Sequence, residues 1–554
     1  MSPLPRTLDS ATKPSLSSTL HHVFSSTVEL VMRASWGPAT TVAQRVAVSL
    51  LSKMKKGRLI LYTPGSHPNV HTFGIPDGED LPDGEPVCFV TVNNPSFWLR
   101  LATMGSLGFA EAYMYGDIDI PSASLFSLFS LFILNKPYLT FGQAKLTDQG
   151  TPTTLSNISQ AFSNPLAYYF VTMPQAYLNS SSFFGSISNT RRNISAHYDI
   201  SNEMFAQFLS EDMTYSCGVW TPAEITAYEA IYSTDRLGSQ ASRIEAPHNA
   251  QHSAYIERGL HDSLYESQIR KLHLIIKKAD IQRGHRVLEI GTGWGSFAIL
   301  AVQTTGCKVD TLTLSSEQAT LARKRIRAAG LEDSITIHLM DYRLAPFHHD
   351  DLSPALLFDR SSEKGPSWRH LFDRFIAIEM VEHVGKEFLP AFFHVADKCL
   401  KPESQDSIGV IQLTTLPEAR MPAYINDIDF IQKWVIFPGC FIPSVTQLVD
   451  ALESGTGGRL LIDSIINIGI HYAPTLRQWR ERFEQNFGIV GGIRDSLLRQ
   501  YPELDMASVE IFRRKWLYYY IYCEFGFAER LLGDHILTFT REQNRARISF
   551  AHGM

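Results

Sequence analysis

None of the six cysteines, Cys88, Cys217, Cys307, Cys399, Cys440 and Cys523, stands in a C-x-x-C pair or at regular spacing. That excludes the usual patterns of a zinc site and of a disulfide framework, and it suits a reducing compartment. Basic charge is not in excess either: 50 Lys and Arg against 56 Asp and Glu leave a net charge of −6. No broad positive field is available to neutralise phosphates, so a nucleic-acid partner is not expected. No apolar run reaches the roughly 20 residues that a membrane-spanning helix needs. The most apolar stretch, SLFSLFSLFIL at 124–134, reads as a buried or membrane-touching helix. The first residues, MSPLPRTLDSATKPSLSSTLHH, lack the charged start and apolar stretch of a secretory signal. The expected location is cytoplasmic, with the N-x-S sites at Asn157, Asn179 and Asn193 unused.

What is present is enough apolar material for a large core. With 554 residues, 44% of them hydrophobic, two or more domains are expected. Residues 38–57 have amphipathic helical spacing and end in the basic cluster Lys53, Lys55, Lys56 and Arg58, a solvated helix end or a dock for anionic lipid heads. The β-like runs RLILYTP and PVCFVTVN follow, then helical segments from Phe97 to Leu134, so residues 1–142 read as a small α/β domain. Residues 143–193, rich in Ser, Thr, Asn and Pro, read as a connecting arm. From 194 to 554 strands alternate with helices in a βαβ rhythm. The strand candidates are RVLEIG, VDTLTL, SITIHLM, RFIAIEM and IGVIQLTTL, with LLIDSIINI and HILTFTRE as edge strands. Two segments break the rhythm and read as surface insertions, Thr221 to Asp262 and Ala345 to His370.

The strongest local signal is VLEIGTGWGSFAIL at 287–300: an apolar strand, a glycine turn, then a helix. Gly291, Gly293 and Gly295 permit positive φ and close backbone approach, which lets a nucleotide-type ligand sit at the strand end against the helix N-terminus. The spacing is not the full dinucleotide fingerprint, and glycines serving only a tight turn are the plain alternative.

VLEIGTGWG, followed in order by TLTLSSEQ, HLMDYR, FDRFIAIEMVEHVG and FIQKWVIFPGCFIPSV, resembles the cyclopropane fatty-acyl-phospholipid synthase family, which includes the mycolic acid cyclopropane synthases. HYDISNEMFAQFLSEDMTYSCGVW, SLYESQIRKL, HYAPTLRQW and RRKWLYYYIYCEFGF resemble further parts of that family, and 94–120 resembles the N-terminal domain of its phospholipid-acting members. The resemblance implies an α/β class I methyltransferase fold, a Rossmann-like seven-stranded sheet dependent on S-adenosylmethionine, with a smaller N-terminal α/β lipid-associating domain. The implied activity transfers a methyl group to the cis double bond of an acyl chain, with a bicarbonate ion removing a proton to close a cyclopropane.

By the same resemblance, Tyr215, Ser216, Gly291, Thr292, Gly293, Trp294 and Gly295 contact the methyl donor. Thr313 and Gln318 lie beside its ribose, and Met340 and Asp341 near its adenine. Glu382 and Tyr472 hold bicarbonate, and Cys217 lies beside it through its backbone. The sequence departs from the family at Thr292, in place of a cysteine, and at Thr414, in place of a histidine that binds bicarbonate. Thr414 carries no positive charge, which puts ring closure in question more than methyl transfer. His383 reads as an orienting or packing residue. The cluster His348, His349 and Asp350 has no matching ligand motif, so no metal is expected.

The leading expectation is a peripheral membrane enzyme that forms cyclopropane acyl chains on a phospholipid, with a homodimer compatible with this reading. One alternative is a C-methyltransferase giving a methyl-branched or methylene product on a sphingolipid or polyketide-like molecule. Another is a non-catalytic lipid-binding protein.

Overall fold

The computed structural model describes residues 37–65, 68–139, 201–237, 263–345, 368–402, 406–426, 429–434 and 440–544. The connecting arm, the boundary expected at its end and the His348–Asp350 cluster lie outside the described residues.

The N-terminal part is a four-stranded sheet of order β2-β1-β3-β4, with β1 Arg58–Thr63, β2 Asn69–Gly74, β3 Val87–Val92 and β4 Ile118–Asp119. Strands β1 and β3 are parallel, and the other pairings are antiparallel. Strand β2 escapes a reading of the sequence because NVHTFG is polar and buries only Phe73, as an edge strand can. Helices Gly37–Leu51, Ser96–Met114 and Ser122–Asn135 accompany the sheet. The most apolar run forms the last of these, and Leu125, Phe126, Leu128 and Leu131 are fully buried, so packing accounts for its apolarity. Among the described residues no helix is long and apolar enough to cross a membrane.

One partner of that helix is Pro222–Leu237, within the stretch expected to be a surface insertion. Residues 222–237 are instead an integral helix. Its Tyr228 and Tyr232, one turn apart, share a face and are buried, and their hydroxyls donate to Glu524 and Glu529 at 3.2 and 3.0 Å. The aromatic i, i+4 pair was the available signal.

The second sheet has seven strands in the order β10-β11-β9-β8-β5-β6-β7. These are β5 Arg286–Ile290, β6 Lys308–Thr313, β7 Ile335–Leu339, β8 Arg374–Ile378, β9 Ile408–Thr415, β10 Leu461–Asn467 and β11 Gly533–Thr540. Strands β5 to β9 pair in parallel, while β11 runs antiparallel to β9 and β10. This is the class I methyltransferase arrangement. The chain winds from β5 outward through β6 and β7, then returns to lay β8 and β9 on the other side of β5, so a crevice opens at the carboxyl ends beside β5.

Helices Tyr472–Phe487 and Met506–Ala528 pack together beside this crevice, joined by a buried Arg477–Glu524 ion pair at 2.6 Å. The N-terminal part meets the second body through Glu111. Its Oε1 accepts from Lys433 Nζ at 2.6 Å and Trp434 Nε1 at 2.8 Å.

Candidate active site

The crevice holds a cavity of about 140 Å3 at the carboxyl ends of β5, β6 and β8. The glycine turn forms its floor. Gly291 has φ +99°, and its N–H and that of Thr292 both donate to Leu312 O, which folds the turn over β6. Thr292 and Thr311 hydroxyls bond at 2.8 Å, so the residue standing where the family has cysteine is tied to the sheet. Trp294 Nε1 donates to Asn202 at 2.8 Å, and Gly295, at φ +85°, starts helix Ser296–Thr305.

Of the residues singled out in the sequence, Tyr215, Ser216, Gly291, Thr292, Gly293, Trp294, Thr313, Gln318 and Met340 line the cavity. Gly295 shapes the turn from behind. Asp341 is fully buried and bound by Arg343 through its backbone N–H and its guanidinium, where it caps the 342–344 turn. Glu382, Tyr472 and Cys217 lie outside the cavity wall but close behind it.

MTYSCGVW, at 213–220, is fastened to helix Ser263–Lys278. Val219 N–H donates to Ser267 O, Gln268 Nε2 to Ser216 O, and Lys271 Nζ to Ser216 Oγ at 2.6 Å. Any side chain at Gly218 would strike Ser267, so the glycine permits this contact. Cys217 is buried with its thiol directed at Gly218 O and Ile468 O, and burial pushes its pKa well up, which removes a thiolate nucleophile.

The residue that organises the site is Glu379, which the sequence reading passed over. It lines the cavity just past β8 in a left-handed conformation, φ +47°, uncommon for a residue with a Cβ. Strain of about 1–3 kcal/mol at such a position persists only where the surroundings enforce it. Here they do: Glu379 N–H donates to Gln412 O at 2.7 Å. Its Oε1 accepts from Cys217 N–H at 2.7 Å and Gln412 Nε2 at 2.8 Å, and its Oε2 from the Tyr472 hydroxyl at 2.5 Å. Three donors thus fix its two oxygens in place.

Glu382, three residues on, accepts from Thr414 N–H at 2.6 Å with Oε1, while its Oε2 has no hydrogen-bond partner. Burial, then the charge of Glu379, pushes its carboxyl up to about 8. His383 lines the cavity, and burial lowers it to about 4, so it is neutral at pH 7. Aromatic rings enclose this corner. Tyr472 stacks on Phe527 at 4.5 Å and meets Trp479 edge-on at 5.9 Å, and the Tyr215 hydroxyl bonds that of Tyr519 at 3.1 Å. Their faces can stabilise positive charge.

Two further ionisable groups, Lys271 and Glu289, line the cavity and were legible only as helix and strand positions. Both are buried. Burial lowers Lys271 and pushes Glu289 up to about 8. The stability contributed by the Glu289 proton is fully present below the unfolded carboxyl pKa and is lost as pH rises through the folded value near 8. Glu289→Gln, with no proton to lose, is therefore expected to gain stability on the wild type between about pH 5 and 8, on the order of 4 kcal/mol. Urea melts of the unliganded protein across that window check it, and a constant difference would refute it.

The mycolic acid cyclopropane synthetase profile matches residues 186–246 and 242–522, together more than half of the chain. Tuberculostearic acid methyltransferase UfaA1 of Mycobacterium tuberculosis is 33% identical over 357 residues, 64% of this chain and 66% of that protein. The chain thus spans just under two thirds of that relative. Cyclopropane-fatty-acyl-phospholipid synthase of Escherichia coli is 26% identical over 451 residues, 81% of this chain and 86% of that one. Sphingolipid C9-methyltransferase of Komagataella phaffii is 25% identical over 321 residues, 57% and 52% of the two chains.

Proposed function

The chain belongs to the mycolic acid cyclopropane synthetase family of S-adenosylmethionine-dependent methyltransferases, and from that premise we propose that it methylates the double bond of an unsaturated lipid acyl chain, with Glu379 as the base. The observation that carries this reading is the Glu379 carboxyl group, accepting from three donors, in the wall of the cavity formed by the glycine turn.

The residues present fit S-adenosylmethionine. Its methionine end carries a carboxylate and an ammonium; within the cavity wall Lys271 with Ser216 would face the carboxylate, and Glu289, protonated at pH 7 in the unliganded protein, would accept a hydrogen bond from the ammonium through its carbonyl oxygen. The glycine turn would give its nucleoside close backbone approach, and Thr313 and Gln318, which line the cavity, would hold the ribose as the resemblance implies. When bound, it supplies an electrophilic methyl. Methylation of an alkene leaves a cationic chain, and the aromatic corner around Tyr472 and Trp479 would stabilise that charge while keeping out water.

Glu379 then takes the proton. Bicarbonate, implied by the family resemblance, would need Cys217 N–H and the Tyr472 hydroxyl, and both already bond to Glu379. We therefore read the side chain as standing in for the ion, which also removes the need for a histidine at Thr414. Loss of a proton from the new methyl carbon, with its C–H electrons forming a C–C bond, closes a cyclopropane. The same loss after a hydride shift gives a methylene group. The M. tuberculosis and K. phaffii relatives are named methyltransferases and not cyclopropane synthases, which favours keeping the second outcome beside the first.

Mass spectrometry of lipids from cells expressing the full chain is the test. Acyl chains heavier by one CH2 are expected, and fragmentation separates ring from methylene. Unchanged acyl lipids, with purified protein that binds no S-adenosylmethionine, would leave the non-catalytic lipid-binding reading.

A further inference from the structure

Behind Glu379 lies a third carboxyl group that the reaction as described does not use. Asp534, near the start of β11, is fully buried. In the β9–β11 register it faces Thr414, and Gln412, two residues earlier on β9, shares that face of the sheet. Gln412 Nε2 is a donor to Glu379, and Thr414 N–H is the donor to Glu382. Three acidic side chains thus converge at the carboxyl end of β8 and β9. Their donors are unequal: Glu379 accepts three hydrogen bonds and Glu382 one from the backbone, whereas neither oxygen of Asp534 accepts any.

A buried carboxylate without donors is costly, and two adjacent charges more so, so the negative charge belongs on Glu379 and a proton on Asp534. Burial first, and the charge of Glu379 second, hold the Asp534 carboxyl well above the usual carboxylate range. The other titratable groups around the pair are Glu382 after β8, Tyr472 on its helix, Lys271 on helix Ser263–Lys278 and Cys217 on the 213–220 segment. His535 turns to the opposite face of β11, where it bonds Thr415 Oγ1 at 2.7 Å.

We propose that Asp534 is a positioning residue for Glu379: its protonated carboxyl donates to the Glu379 carboxylate, and this donor sets the pH range over which Glu379 is free to accept a proton. The inference rests on reading Glu379 as the base. In each turnover a C–H bond of the cationic chain breaks, its electron pair forms the new carbon–carbon bond, and the proton goes to Glu379. The pair then holds two protons, one of which leaves to solvent before the next turnover.

The test combines a pH–rate profile of S-adenosylhomocysteine release by the full chain with the infrared band of protonated carboxyl groups. Asp534→Leu removes the donor, which destabilises ionised Glu379, so the acid limb is expected to move up by about one pH unit. Asp534→Asn restores a neutral donor and is expected to return the limb to the wild-type position. Both variants should lose part of the carboxylic-acid C=O band at pH 7. A merely structural role would lower stability without moving the limb, and without rescue by asparagine. Should Asp534→Leu fail to fold, the band in Asp534→Asn decides. Wild-type limbs and an undiminished band, alongside an inactive Glu379→Gln, would overturn the inference alone, whereas an active Glu379→Gln would overturn the reading beneath it.

Discussion

Replacing Glu379 with glutamine is expected to lower the rate of lipid methylation by about 10²–10⁴-fold, the range a positioned general base supplies. The amide matches the carboxylate in size, so the cavity wall keeps its shape. What it loses is the ability to take a proton, and one amide face presents N–H to the donors that now bond the carboxylate. Glu382→Gln separates the two acids. Glu382 is held near 8, hence neutral at pH 7, and glutamine resembles that neutral form while keeping an oxygen for Thr414 N–H. A loss of no more than about tenfold is expected there, since an uncharged hydrogen-bonding role survives the exchange. Release of S-adenosylhomocysteine and lipid product, measured for both variants under one set of conditions, decides between them. The reverse order of losses would make Glu382 the base.

The sequence carried the frame of this site further than its centre. The glycine turn, the apolar parallel strands and the order of motifs are local features, and each appears where a 3.6- or 2-residue period with turn residues places it. Seven strands were legible on that basis, whereas the cavity-lining positions from Tyr215 to Met340 came from the family resemblance. Glu379 was not, because its importance comes from a left-handed backbone turn and from donors on three distant segments, at Cys217, Gln412 and Tyr472. Two acids stand in FIAIEMVEHVG, and attention to the resemblance favoured the second. Asp534 likewise stood just before the expected edge strand HILTFTRE, and only the pairing of β11 with β9 brings it to the same face as Gln412. Helix Pro222–Leu237 differs in kind: its paired tyrosines were a local signal, overridden by reading the whole 221–262 stretch as an insertion.

At the other end of the cavity, Gly291→Ala is expected to weaken methyl-donor binding by about tenfold or more. Two independent costs meet at this position. The backbone sits at φ +99°, outside the region open to alanine, and strain of this kind costs about 1–3 kcal/mol. A Cβ at Gly291 would also lie 3.2 Å from Met380 Cβ and Cγ, tighter than ordinary contact, and Met380 follows Glu379 directly. The chain can relieve the strain only by rotating the turn, which withdraws the Gly291 and Thr292 amides from Leu312 O. It can relieve the contact only by pushing Met380, and with it the base. Binding and proton removal are therefore coupled through one van der Waals contact, and the variant should lose affinity and turnover together. Gly293→Ala makes a discriminating control: its φ of +51° is in the left-handed region, but nothing lies within 4 Å of an added Cβ. Calorimetric titration with S-adenosylmethionine should give a milder loss for Gly293→Ala than for Gly291→Ala, and equal losses would mean that strain alone, without the Met380 contact, governs the turn.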